Sequence, residues 1–217
     1  MSKLHRTARI VAALAVGLTF ALPALAGPPL ICHPFVTGTA PVLPWTPGQN
    51  WNSPDLSYDV GNLAADTLAL LSPDAPVLAR MENMRRATIY AAKDPRIGAE
   101  LLRAVVARAE AADAPPLAWF DAGYLVETYR QYGVVVHEFR MLPKPQDYVP
   151  LLSGADVGLD GYALVRKAAT LDPELAPEVE FAASLMVRDN SVGEQHRRRA
   201  AAGATAGSLL AHNLERF

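Results

Sequence analysis

The sequence predicts an all-α domain of antiparallel helices behind an extended, proline-rich N-terminal arm. Three observations predict it. Apolar residues recur every three or four positions over most of the chain after Asp55. Asp-Pro and similar pairs punctuate that pattern at Ser72-Pro73, Asp94-Pro95, Pro115-Pro116 and Asp172-Pro173. Residues 27–55 hold seven prolines, a density that excludes long helices and central strands.

The first 26 residues read as a secretory signal. Lys3, Arg6 and Arg9 open it with no acid among them. The uncharged run Ile10 to Leu22 follows, then Pro23, then the small residues of Ala24-Leu25-Ala26 before Gly27. That run is shorter than the roughly 20 residues a membrane span needs. Cleavage after Ala26 and a periplasmic or secreted protein are expected. The organisation is then a signal peptide at 1–26, an extended arm at 27–55 and one helical domain at 56–217. Phe35, Trp45 and Trp51 are spaced through the arm, as in a segment that docks on the body rather than a polar tail.

Each helix has a local signature. Leu63, Thr67, Leu70 and Leu71 share one face of a helix over 62–71. Val77, Met81, Met84, Thr88 and Ala91 do so in the next, started by Pro76 in its first turn. Ile97, Leu101, Leu102, Val105, Val106 and Ala109 form an apolar stripe. Phe120, Tyr124, Leu125 and Thr128 align in a helix over 117–132. Val134-Val135-Val136 suits either a short strand or a longer helix, and Pro143, Pro145 and Pro150 imply a long loop. Helices over 161–171, 178–188 and about 194–214 complete seven. Short joints imply antiparallel neighbours, either as stacked hairpins or as an irregular bundle.

Composition narrows the function classes. The 217 residues carry 20 Lys and Arg against 22 Asp and Glu. Without residues 1–26, whose three basic residues face no acid, the balance becomes 17 against 22. A mildly acidic chain is a poor match for nucleic acid or an anionic membrane surface. The single cysteine, Cys32, excludes an internal disulfide. Arg197-Arg198-Arg199 reads as a solvated helix face.

Three groups of residues are candidates for chemistry. Cys32-His33 pairs a thiol with an imidazole, which suits a metal site or a nucleophile with its base, and equally suits a buried apolar thiol beside a polar contact. Arg80, Glu82, Arg85 and Arg86 crowd one helix. Glu82 and Arg86 have the favourable order of a surface ion pair, and Arg85 is placed to reach an anion. Asp121, Tyr124 and Glu127 lie at intervals of three, so two carboxylates on one helix could do a hydrolase's acid–base work. Capping and solvation is the simpler reading of these acids. No nucleophile elbow, phosphate loop or dinucleotide fingerprint is present.

Trp119-Phe120-Asp121-Ala122-Gly123 resembles the Trp-x-x-small-Gly opening of a tetratricopeptide repeat, without a fixed 34-residue period. Four longer strings are Cys32 to Phe35, Asp66 to Leu71, Arg80 to Glu82 with Arg85 to Ala87, and Phe120 to Tyr129. Together they resemble an uncharacterised family of exported bacterial helical proteins. That resemblance implies export and a helical body. The expected function is a non-enzymatic scaffold for a protein or peptide partner. A metal- or small-ligand-binding protein using Cys32 and His33 is the alternative, and a hydrolase using Asp121 and Glu127 the second.

Overall fold

The computed structural model of the chain describes residues 27–48, 51–138, 149–187 and 190–217. The signal segment and most of the Pro143–Pro150 stretch lie outside the described residues. The described part is helical: α1 Pro29–Cys32, α2 Leu63–Leu70, α3 Val77–Ala91, α4 Pro95–Glu110, α5 Pro116–Glu138, α6 Gly161–Leu171, α7 Ala176–Met186, α8 Asn190–Gly203 and α9 Leu209–Leu214. Short 3-10 turns at Val60–Asn62, Gly154–Gly158 and Pro173–Leu175 join some of them.

The helix starts follow cap chemistry. Asp94, Asp160 and Ser208 each stand in extended backbone, and each side chain accepts an N–H of the first turn. Pro95 then occupies the first turn of α4, where no N–H is needed. The expected boundaries of α6 coincide with the observed ones, whereas Pro76, expected in the first turn of α3, stands at its N-cap.

Three elements depart from expectation, and one alternative left open by the sequence is decided. The proline-rich arm holds one helical turn, α1, because Pro28 and Pro29 stand at its start, where proline is tolerated. Val134-Val135-Val136 continues α5, and Val135 and Val136 are buried there. Tertiary burial overrides the weak strand preference of β-branched residues. The helix expected over 178–188 starts earlier, with Pro177 in its first turn. The last expected helix is two: α8 ends at Gly203, and Gly207, at φ 75°, turns the chain before Ser208 caps α9.

Helix α5 is central, packed against α3, α4 and α6; α7 lies on α6 and α8, and α1 reaches α5 and α7. The α5–α6 crossing is set by two glycines. A Cβ on Gly123 would lie 2.4 Å from the Gly161 carbonyl oxygen, so the backbones meet where no side chain fits. The arm joins the same core. Leu30, Ile31, Phe35 and Leu43 are buried, each burial contributing roughly 1.5–3 kcal/mol. Phe35 stacks on Phe217 with ring centroids 5.1 Å apart and meets Phe181 edge-on.

Candidate functional site

Helix α3 runs beneath the arm, and its polar side chains bind the arm's main chain. An extended segment without a neighbouring strand leaves its N–H and C=O groups needing partners. Glu82 accepts the Phe35 N–H at 3.1 Å, and Asn83 accepts the Leu43 N–H at 2.8 Å. Arg85 donates to the carbonyls of Ile31 and Trp51 at 3.3 and 2.8 Å, and Arg86 donates to that of Leu43. Tyr90 donates to Pro44 O at 2.7 Å and accepts the Asp55 N–H at 3.0 Å. From the end of the chain, Asn213 pairs with both the N–H and the C=O of Val36.

The charged cluster expected on a solvated helix face is therefore inside the protein. Arg80, Glu82 and Arg85 are fully buried, and only Arg86 keeps a partly exposed side chain, at 17%. Periodicity placed these residues on a helix, but the arm groups bonded to Glu82 and Arg85 come from 34 to 54 residues upstream, and Arg80 is bonded to the end of α2 and to α5. Glu82 grips Arg85 with both oxygens at 2.8 Å and also accepts from Arg86 Nε at 2.7 Å. Burial alone would raise the Glu82 carboxyl, but the bonds and charges of the two arginines outweigh it and hold it below the ordinary glutamate value.

Between α3 and the arm lies a hollow of about 330 Å³, lined by Pro34, Trp45, Thr46, Pro47, Gly48, Glu82, Arg85 and Arg86. The Arg85 and Arg86 guanidinium carbons lie 4.9 and 5.4 Å from the Trp45 ring centroid. Trp45 itself is held by a bridge to Pro54 and an edge-on contact with Tyr90. One carboxylate and two guanidiniums leave the walls with one net positive charge.

Asp121 and Glu127 do not form a pair. Asp121, fully buried, accepts from Arg80 at 2.7 Å and from Arg108 at 3.4 Å, on the α3–α4 side of α5. Glu127 binds Arg130 and meets Gly161 of α6. Burial pushes the Asp121 carboxyl up to about 6 against the pull of the two arginines. Its Oδ1 and the Tyr124 hydroxyl find no hydrogen-bond partner among the described residues. Arg80 also donates to the carbonyls of Ala75, Leu71 and Ser72, and Arg108 to that of Leu71. Both arginines thus close the exposed end of α2 as well as binding α5.

Cys32 and His33 part ways. Cys32 ends α1 in the core, against Gly27, and burial pushes its thiol up to about 11. The His33 ring lies edge-on to Phe217 and lines a separate hollow of about 200 Å³ with Pro34 and Arg216. Among the described residues, no three His, Cys, Asp or Glu side chains gather as a metal ion would require.

A further polar cluster escaped the sequence reading. Glu180 of α7 binds Arg166 of α6 and Arg199 of α8, and its Oε2 lies 2.6 Å from His196 Nδ1. His196 Nε2 meets the Tyr162 hydroxyl at 2.8 Å. Burial raises the Glu180 carboxyl, but bonds from His196, Arg166 and Arg199 prevail and lower it to about 2. The three partners of Glu180, and Tyr162 behind His196, come from two other helices at no motif spacing. Only the packing of α6, α7 and α8 against one another brings them together. Arg199 is thus engaged, and Arg197 donates to the carbonyls of Leu214 and Phe217, while Arg198 is the solvated member of the basic run.

Among the described residues no helix is long and apolar enough to cross a membrane. No protein-family model, curated protein or solved structure matches this chain.

Proposed function

We propose that this chain is an exported, non-enzymatic helical scaffold that binds a protein or peptide partner, working in the periplasm or outside the cell after cleavage following Ala26. The observation that carries the reading is the hollow between α3 and the arm. It has an aromatic wall, two proline edges and an arginine that is not fully enclosed. A concave surface that sets an aromatic ring beside a few placed polar groups is the kind of place where ligands bind. Side chains of α3 bond the main chain on both sides of Trp45, which supports a site formed before a partner arrives.

Helices paired as hairpins suit such a scaffold. The close packing of α5 on α6 and of α7 on α8, each pair consecutive in the chain, supports that arrangement.

The test is a selection of displayed random dodecapeptides on the purified protein, with Trp45→Ala as counter-target. Enriched sequences that bind wild type and lose affinity for the variant support the reading. No enrichment, or equal binding to both, overturns it.

A further inference from the structure

The bonds of the two arginines differ in a way that identifies the ligand group. Arg85 is spent inside the protein: Nε and Nη2 bind Glu82, and Nη1 binds two arm carbonyls. Arg86 spends Nε on Glu82 and Nη1 on Leu43 O. Its Nη2 makes no hydrogen bond among the described residues, and the side chain opens on the hollow. Glu82 is already shared between both guanidiniums, so the positive charge left over belongs to Arg86.

Resting on the partner-binding reading above, we propose that the Trp45–Arg86 hollow takes the side-chain carboxylate of an aspartate or glutamate in an extended segment of the partner. The Nη2 edge supplies donors that a carboxylate accepts and an ammonium cannot. Trp45 lies against the same guanidinium, its ring centroid 5.4 Å from Arg86 Cζ, and this cation–π contact helps to position the side chain. Pro34 and Pro47 line the rest, which suits the methylene stem of an acidic residue and extended backbone beside it. A volume of about 330 Å³ is at the small end of ligand pockets and has room for one side chain with its neighbours. A second cation is excluded by the like charge already there.

The experiment uses the dodecapeptides enriched on wild-type protein. Each is resynthesised with its Asp or Glu replaced by Asn or Gln, and affinities are measured by fluorescence anisotropy at two salt concentrations. The expected result is an acid at one shared position, an affinity loss of at least tenfold in the amide version, and weaker binding of the acidic version at high salt. Arg86→Gln, checked for an unchanged circular dichroism spectrum, is expected to bind acid and amide alike. Enriched peptides without a shared acid, or acid and amide versions of equal affinity on wild type, overturn the carboxylate and leave the scaffold standing. A selection that enriches nothing overturns both. The acid–amide comparison needs no variant, so it decides the matter even if Arg86→Gln does not fold.

Discussion

The Glu82 carboxylate accepts the amide N–H of Phe35 across 47 residues of chain while holding Arg85 with both oxygens. One buried side chain thus ties the arm to α3 and neutralises the cation that binds the arm's other carbonyls. Glu82→Gln is expected to leave the buried Arg85 charge uncompensated, a change that costs about 3–5 kcal/mol when a buried pair loses one partner. Urea unfolding should show that loss, and limited proteolysis should open the arm first. Unchanged stability would mean that the carboxylate does not anchor the arm.

Asp121 gives a pH signature of unusual sign. Burial raises its carboxyl from 3.8 to about 6, so the folded state binds that proton more tightly than the unfolded chain does. Between those two values stability falls as pH rises, and at neutral pH the ionised group carries a cost. Glu180, lowered from 4.5 to about 2, acts in the opposite sense: its contribution is present above pH 4.5 and is lost as pH falls toward 2. Comparing wild type with Asp121→Asn by urea unfolding at several pH values isolates the first effect. The difference is expected to shift in favour of wild type as pH falls from 7 to 4. A pH-independent difference would show that Asp121 ionises normally.

Gly123 sets the distance between α5 and α6. Alanine there would bring a Cβ within 2.4 Å of Gly161 O and 2.7 Å of Val165 N, both backbone atoms that cannot turn aside. Gly123→Ala is therefore expected to destabilise by about 1–3 kcal/mol or more, despite alanine's better helix propensity. A thermal melt as high as that of wild type would refute the close crossing.

Cys32 should be a slow thiol. Burial moves it from 9.0 to about 11, which lowers its thiolate fraction about a hundredfold at pH 8. Reaction with a disulfide reagent is expected to be at least that much slower in the folded protein than in denaturant. Rapid labelling of the native protein would place the thiol at the surface.

The helices were legible because their signals are local. Val77 to Ala91 repeats apolar residues at helical spacing, and Asp94-Pro95 writes both a cap and a first turn into adjacent positions. The arm's docking was legible from its aromatics: Phe35 and Trp45 do meet the body, at Phe181 and Tyr90. The site was legible only in its residue list. Arg80, Glu82 and Arg85 stood out as a charged group, but the same spacing describes a solvated face and a buried hub equally well.

By itself, then, the sequence determined an all-α chain, most of its helix boundaries and an extended arm, since periodicity, caps and proline act within a few residues. Tertiary structure decided what those elements do to each other. It buried Glu82 and Arg85 by laying arm carbonyls over them, separated Asp121 from Glu127, gathered Glu180 with His196, and left the outer edge of Arg86 open beside Trp45. Burial of a charge depends on partners brought from far along the chain, and no local pattern records where those partners will arrive.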